Sequence, residues 1–212
     1  MRIGIFGGSF DPPHVGHLLA ALDAIDALSL DRLQVVPAGV QPLKQSGQTA
    51  AEHRLAMTLG CFGTLSGVEV DTIEMERGGL SFTVDTVESY RRQWPTAELL
   101  LLVGEDAVAS FAKWRELKRL LSMVRLVVLS RNSEVAQPAD AAALLAEELW
   151  KGQSPPRRLV TRRVDVSSTE IRARVRSGRS IRGFVTDSVA AYIASTGLYQ
   201  QDSAAVADST PG

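Results

Sequence analysis

Residues 2–17 read RIGIFGGSFDPPHVGH, and this stretch decides the fold. Residues 2–6 are mostly apolar and are followed by Gly7 and Gly8, after which apolar residues recur at helical spacing from near Val15. A strand that runs through a glycine loop into a helix is typical of an α/β sheet. Because ligands bind beyond the carboxyl ends of the strands in such sheets, the loop is a candidate binding site.

Strand and helix patterns continue to alternate along the chain. Apolar runs such as LLLLV at 99–103 lack polar alternation, which is typical of strands covered on both faces. The sequence therefore predicts a Rossmann-like α/β fold, a doubly wound parallel sheet with helices on both faces and a C-terminal helical part. We predict further strands at 33–36, 68–73, 99–103, 126–129 and 158–160, and helices at 51–62, 84–94, 139–150, 168–175 and 189–194.

The composition is that of one globular domain. Of the 212 residues, 45% are hydrophobic and 22% are charged, which suffices for one substantial core. We predict a single domain over residues 1–200 and a disordered tail over 201–212, where small and polar residues follow no pattern. The net charge of -1 gives no overall field that would attract a nucleic acid.

The single cysteine and the absence of a long apolar run favour a cytoplasmic protein. Cys61 is the only cysteine of the sequence, so neither an internal disulfide nor a thiolate zinc site can form within the chain. No signal-peptide pattern and no run of eighteen apolar residues is present, so we expect no membrane partner. The sequence does not decide the oligomeric state and leaves a homo-oligomer open.

The glycine loop carries groups suited to phosphate binding. Gly7 and Gly8 let backbone amides approach phosphate oxygens, and the helix near Val15 presents its partly positive amino end to the same anion. His14 and His17 lie three residues apart on one helix face and can share a phosphate. The alternative is that the two histidines only cap a helix and bind no ligand. The upstream sequence GGSFDPP makes this alternative less favoured.

A second segment, VSSTEIR at 166–172, has the features of another phosphate clamp. Ser167 or Ser168 can cap a helix whose amides face an anion, and Arg172 adds a positive charge one turn later. Ser167 and Glu170 also have the spacing of a capping box, and a cap is compatible with a clamp.

Arginines surround this segment, and an RNA-binding face is one interpretation. No aromatic residue is interleaved with them before Phe184, so stacking on bases has little support. We favour a solvated face that also binds triphosphate. The arginines are Arg157, Arg158, Arg162, Arg163, Arg172, Arg174, Arg176, Arg179 and Arg182.

GGSFDPPHVGH and VSSTEIR together resemble the two signature motifs of the nucleotidyltransferase superfamily, HxGH and ISSTxIR. Within it the chain is similar, over residues 2–199, to the bacterial nicotinate-nucleotide adenylyltransferase family. SFTVDT at 81–86, GED at 104–106 and Trp114 match internal segments of that family, and VAAYIASTGLY at 189–199 matches its ending. The resemblance implies transfer of AMP from ATP to nicotinate mononucleotide, with release of pyrophosphate.

The resemblance also implies the site residues. Catalysis would rest on His14, His17, Lys44 and Arg172. ATP would be bound by Gly7, Gly8, Ser9, Phe10, His14, Gly16, His17, Gly104, Asp106, Ser167, Ser168, Thr169 and Arg172. Nicotinate mononucleotide would be bound by Ser9, Lys44, Thr83, Val84, Asp85, Trp114 and Arg115.

Three positions depart from the family pattern: Leu43 stands where a histidine is common, Arg115 where an aromatic residue is frequent, and Val84 offers no ring. They affect the expected pyridine pocket, and Arg115 could contribute charge to acid recognition. Lys44 in the polar loop 41–49 suggests a lid over the substrate.

Mg²⁺ would be bound mainly through ATP phosphates rather than by a dedicated protein site, with Asp11 as the nearest candidate contact. Two other functions remain open at this point. One is an adenylyltransferase for another acceptor, nicotinamide mononucleotide or phosphopantetheine. The other is a noncatalytic module that binds a nucleotide or RNA.

Overall fold

The computed structural model describes residues 1–41, 49–108, 110–130 and 155–200. Its strands form one sheet in the order β3-β2-β1-β4-β5-β6, and every pair of neighbours is parallel. This confirms the predicted Rossmann-like fold. The strands are β1 (Arg2–Gly8), β2 (Arg32–Pro37), β3 (Val68–Val70), β4 (Glu98–Gly104), β5 (Arg125–Ser130) and β6 (Arg157–Val160).

Helices connect these strands and cover both faces of the sheet. Among the residues described, none of the helices is both long and apolar enough to cross a membrane. The helices are α1 (Val15–Leu28), α2 (Ala51–Phe62), α3 (Ile73–Arg77), α4 (Thr83–Gln93), α5 (Glu105–Val108), α6 (Leu117–Met123), α7 (Ser168–Arg176) and α8 (Asp187–Thr196), with a 3-10 helix at Phe111–Lys113. The helix predicted at 139–150 and the tail predicted at 201–212 lie outside the described residues.

Side chains of the central strands alternate between two cores. In β4, Leu99 and Leu101 pack on the face covered by α4 and α6, whereas Leu100 and Leu102 pack on the face covered by α1, α2, α7 and α8. All four side chains are at most 5% exposed. An uninterrupted apolar run is therefore what this strand needs, because both of its faces are buried.

The strand predicted at 68–73 is wrong in its second half. β3 ends at Val70, and Ile73 begins α3. The Asp71 carboxylate accepts a hydrogen bond from the backbone N–H of Ile73 at 2.9 Å, and this local bond turns the chain away from the sheet.

The order of the strands reverses direction between β1 and β4. α1 leaves β1 on one face of the sheet, and the chain crosses to β4 only after β2 and β3. The loops that follow β1 and β4 therefore diverge at their carboxyl ends and open a crevice there.

Candidate active site

A cavity of about 1130 Å³ lies at the carboxyl ends of β1 and β4. Its walls include residues from the loop after β1, the loop after β4, the start of α4, and the segment that enters α7. Every residue predicted to bind ATP lines this cavity. Of the residues predicted to bind the nicotinate nucleotide, Ser9, Thr83, Val84, Trp114 and Arg115 line it, Asp85 does not, and Lys44 lies outside the described residues.

The two histidines of the first motif begin α1 and hold each other in place. His14 is the N-cap: the backbone N–H of His17 donates to its Nδ1 at 3.3 Å, and the backbone N–H of His14 donates to Nδ1 of His17 at 3.2 Å. The rings stack with centroids 3.7 Å apart. Because both Nδ1 atoms accept, a neutral imidazole at either position carries its proton on Nε2.

Two glycines of this motif have a packing role that the sequence interpretation missed. A Cβ at Gly16 would lie 3.0 Å from Nδ1 of His14, and a Cβ at Gly8 would lie 2.9 Å from the ring of Phe10. Both glycines line the cavity, but their closest neighbours are these rings rather than open space. Phe10 itself is 2% exposed and packs edge-on against His17, with ring centroids 5.2 Å apart. Only the backbone of Phe10 can therefore face a nucleotide.

The second motif joins the first through direct hydrogen bonds. Ser168 donates its hydroxyl to the carbonyl of Pro12 at 2.8 Å, and Arg172 donates to the carbonyl of Asp11 at 2.6 Å and to the hydroxyl of Thr169 at 3.2 Å. These bonds place the start of α7 beside the start of α1. The amino ends of two helices therefore face one cavity, where both favour an anion.

Ser167 is the N-cap of α7. Its hydroxyl accepts from the backbone N–H of Glu170 at 3.1 Å. The capping interpretation of VSSTEIR is thus realised by Ser167, while Ser168, Thr169 and Arg172 line the cavity beside it.

The opposite wall is formed by the start of α4 and by the segment around Trp114. Trp114 follows the 3-10 helix and packs on Phe111, with ring centroids 4.7 Å apart. Its indole N–H donates to the hydroxyl of Ser110 at 2.9 Å. Val84 is 1% exposed and belongs to the core. Trp114 is the residue that caps the carboxyl end of the 3-10 helix, and it lines the cavity.

Arg115 extends this wall. Its guanidinium lies 4.8 Å from the centre of the Phe82 ring and 3.5 Å from the carboxylate of Asp85. Asp85 therefore reaches the cavity only through Arg115. Phe82, the second residue of SFTVDT, also lines the cavity, although the sequence predicted a binding role only for Thr83, Val84 and Asp85 of that segment.

At the end of β4, Asp106 folds back over Gly104. A Cβ at Gly104 would lie 2.5 Å from Oδ1 of Asp106, so a side chain there would displace the carboxylate. Both residues line the cavity. A carboxylate in this position can accept a hydrogen bond from a hydroxyl of a bound nucleotide.

Two charged residues missed by the sequence analysis stiffen the walls. Arg54 of α2 is 2% exposed and donates to the carbonyls of Ser9, Ala38, Gly39 and Thr49 at 2.5–3.2 Å. Burial lowers the pKa of Arg54, although Asp11, Tyr199 and Glu74 oppose the shift. Nothing in the sequence around Arg54 marks it, because its partners are backbone oxygens of distant segments.

Glu74 of α3 fixes the wall near the start of α4. Its carboxylate accepts from the hydroxyl of Thr86 at 2.9 Å and from the backbone N–H of Gly39 at 3.4 Å. Burial raises the pKa of Glu74, and these hydrogen bonds partly offset the rise. Glu74 lines the cavity. It follows directly after the strand predicted at 68–73, and the sequence assigned it no role in the site.

Asp11, the nearest candidate metal contact, is engaged within the protein. It is 7% exposed; its Oδ1 accepts from the hydroxyl of Tyr199 at 2.7 Å and its Oδ2 from the backbone N–H of Thr49 at 3.4 Å. Within residues 1–41, 49–108, 110–130 and 155–200, no three His, Cys, Asp or Glu side chains come together as a possible metal site.

Several arginines near the second motif have partners on the protein. Arg162 pairs with Asp23 at 3.1 Å, Arg163 with Asp165 at 3.1 Å, and the Arg174 guanidinium lies 4.3 Å from the centre of the Phe184 ring. Arg174 therefore occupies one face of the Phe184 ring, on which a base could otherwise stack.

Comparison with known proteins extends these observations. Residues 5–174 match the model of the cytidylyltransferase-like family. The probable nicotinate-nucleotide adenylyltransferase of Gemmatimonas aurantiaca is 60% identical over 201 residues, covering 95% of this chain and 93% of its own. The probable nicotinate-nucleotide adenylyltransferase of Thermus thermophilus is 40% identical over 200 residues, covering 94% of this chain and all of its own.

Solved structures share the fold. The nicotinic acid mononucleotide adenylyltransferase of Plasmodium falciparum complexed with NaAD has a TM-score of 0.72 at 19% identity, covering 93% of this chain and 97% of that one. The same enzyme complexed with APC has a TM-score of 0.71. At such low identity the likeness concerns the fold, whereas the sequence relatives decide the family. The chain belongs to the nicotinate-nucleotide adenylyltransferase family, within the cytidylyltransferase-like proteins.

Proposed function

We propose that this protein transfers the adenylyl group of ATP to nicotinate mononucleotide, forming nicotinate adenine dinucleotide and pyrophosphate. The observation that carries the proposal is that the amino ends of two helices line a single cavity. One helix end contributes His14 and His17, and the other contributes Ser168 and Arg172. The names of the relatives and the bound dinucleotide of the Plasmodium enzyme support the choice of substrates. A biosynthetic role of this kind agrees with the expected cytoplasmic location.

The chemistry needs alignment more than activation. The phosphate of the mononucleotide attacks the α-phosphorus of ATP in line with the departing pyrophosphate, and a phosphate dianion is already a competent nucleophile. One P–O bond forms as the other breaks, so no covalent enzyme intermediate is required. The protein must hold both nucleotides and stabilise the charge that spreads over the phosphoryl oxygens.

The first motif is suited to the reacting phosphates. In His14 and His17 each Nδ1 accepts a backbone N–H, so the donor of each neutral ring is its Nε2–H group. We assign to them the oxygens of the α-phosphate, beside the backbone of Gly7 to Phe10. The rings are held by the helix backbone itself, so little reorganisation is needed during the reaction.

The second motif is suited to the β- and γ-phosphates. Arg172 already donates to Asp11 and Thr169, which fixes its guanidinium at the cavity edge, and Ser167, Ser168 and Thr169 start a helix whose amides face the same space. We assign Lys44 to the triphosphate as well, on the sequence resemblance alone. Asp106 and Gly104 are assigned to a ribose hydroxyl of ATP.

The pyridine end of the acceptor belongs against Trp114 and the start of α4. The half-buried indole offers a flat apolar surface, and the backbone N–H groups of Thr83 and Val84 lie in the first turn of α4, where they favour a carboxylate. Arg115 brings a positive charge to the same wall. These features support an acid rather than an amide at the ring.

We propose that Mg²⁺ enters with ATP, held by triphosphate oxygens and water. When bound, it neutralises charge on the departing pyrophosphate. Arg172, and Lys44 by resemblance, add to that neutralisation from the protein side.

The proposal is tested by initial rates of pyrophosphate release. The protein is incubated with ATP, Mg²⁺ and one acceptor at a time: nicotinate mononucleotide, nicotinamide mononucleotide or phosphopantetheine. We expect kcat/KM to be highest with nicotinate mononucleotide and phosphopantetheine to give no release. No release with any of the three acceptors would instead favour a noncatalytic nucleotide-binding module.

A further inference from the structure

Tyr199 reaches the phosphate-binding loop from the far end of the described chain. Its hydroxyl donates to Oδ1 of Asp11 at 2.7 Å, across 188 positions of sequence. The ring packs on the core shared by α1, α2, α7 and α8, and the hydroxyl lies 3.8 Å from Sδ of Met57. Burial raises the pKa of Tyr199, so the phenol keeps its proton and remains a donor at neutral pH.

The backbone after α8 is shaped to deliver this hydroxyl. Gly197 and Tyr199 both adopt left-handed conformations, with φ of 67° and 64°. A left-handed conformation is unfavourable for a bulky residue such as tyrosine and needs support from its surroundings. The half-buried hydrogen bond to Asp11 and the packing of the ring supply that support.

Asp11 and its neighbour Pro12 are also the residues that the second motif holds. The carbonyl of Asp11 accepts from Arg172, and the carbonyl of Pro12 accepts from Ser168. The side chain and the backbone of one short segment are thus bound by Tyr199 on one side and by α7 on the other. His14 follows this segment by two residues and begins α1.

We propose that Tyr199 is a positioning residue. Its hydrogen bond to Asp11 fixes the segment between the glycine loop and His14. In that position the histidines and the second motif are aligned to act on the same substrate phosphates. The inference rests on the proposed adenylyl transfer. Tyr199 is absent from the cavity wall, so its effect would pass through Asp11 and not through contact with a substrate.

The physical expectation is a loss of rate rather than of affinity. Without the hydroxyl, Oδ1 of Asp11 loses its donor inside the protein and the segment gains alternative positions. ATP can still bind through α7, but the two phosphate-binding elements are aligned for a smaller fraction of the time. A displacement of about 1 Å in such an alignment can cost about 100-fold in rate.

The test uses Tyr199→Phe, with Tyr192→Phe as the matched control. Tyr192 is a second tyrosine of the C-terminal part; its hydroxyl pairs with His53 at 2.9 Å, and it does not line the cavity. We measure kcat, both KM values and the melting temperature with ATP and nicotinate mononucleotide. Tyr199→Phe should lower kcat about tenfold or more and change each KM less than about threefold, with a melting temperature close to that of Tyr192→Phe.

A double-mutant cycle with Ser168→Ala completes the experiment. If Tyr199 and Ser168 hold one segment, their effects on kcat should be clearly non-additive, because the second loss acts on a segment that is already displaced. Additive effects, equal kcat in Tyr199→Phe and Tyr192→Phe, or a Tyr199→Phe protein that fails to fold would overturn the inference. An inactive wild-type protein would overturn the proposed function instead, so the two failures are distinguishable.

Discussion

At the scale of single residues, the proposed function assigns two tasks to the ring of His14. Its Nδ1 caps α1, and its Nε2 is the atom that can donate to a phosphate. The ring is 3% exposed, so the cap and the neighbouring His17 leave it little freedom. To separate capping from phosphate binding, His14 must be replaced by a residue that can cap the helix but has no donor at the position of Nε2.

His14→Asn provides that separation. Asparagine is a good N-cap, so this variant should be more stable than His14→Ala by about 1 kcal/mol in the free energy of unfolding. Both variants should lose about 100-fold in kcat, because neither supplies the Nε2–H donor. Urea unfolding and steady-state kinetics check the two parts, and an asparagine variant with wild-type turnover would assign the ring to capping alone.

Arg115 is the residue whose charge bears on the choice between acid and amide. Arg115→Ala should raise KM for nicotinate mononucleotide about fivefold, the equivalent of about 1 kcal/mol, and leave KM for nicotinamide mononucleotide nearly unchanged. Arg119→Ala is the control, because Arg119 pairs with Glu88 and Glu116 but does not line the cavity. An equal rise in both KM values would mean that Arg115 shapes the pocket without selecting the acid.

At the scale of elements, α7 depends on its first turn. The hydroxyl of Ser167 caps the helix, and the next residues face the cavity. Ser167→Ala should lower the free energy of unfolding by about 1 kcal/mol and raise KM for ATP, because the helix amides lose their order. Ser167→Asn should recover both quantities; if it behaves like Ser167→Ala in calorimetry and kinetics, the cap is not what the motif needs.

The long elements could be predicted from sequence because their patterns are local. α2 has the predicted bounds, Ala51–Phe62, and the apolar run at 99–103 lies within β4. The short helices α3, α5 and α6 could not be predicted, since helices of four to seven residues contain too few residues for a period to show. α3 in particular depends on one side chain, the Asp71 carboxylate at its start.

At the scale of the whole molecule, the site is an assembly of distant segments. The two motifs marked the residues proposed to bind phosphate because each motif is contiguous. The sequence assigned no role to Arg54, nor to Tyr199 at the end of VAAYIASTGLY, because their partners lie in other segments, up to 188 positions away for Tyr199 and Asp11. Only the fold brings the loop after β1, the start of α2 and the end of the chain past α8 to one place.

The whole cavity is required to choose the acceptor, so a competition between acceptors tests the account most directly. Equimolar nicotinate mononucleotide and nicotinamide mononucleotide are supplied with ATP and Mg²⁺, and the two dinucleotide products are separated by chromatography. We predict that nicotinate adenine dinucleotide is the main product and that one pyrophosphate is released for each dinucleotide formed. An excess of the amide dinucleotide, or pyrophosphate without any dinucleotide, would contradict the account.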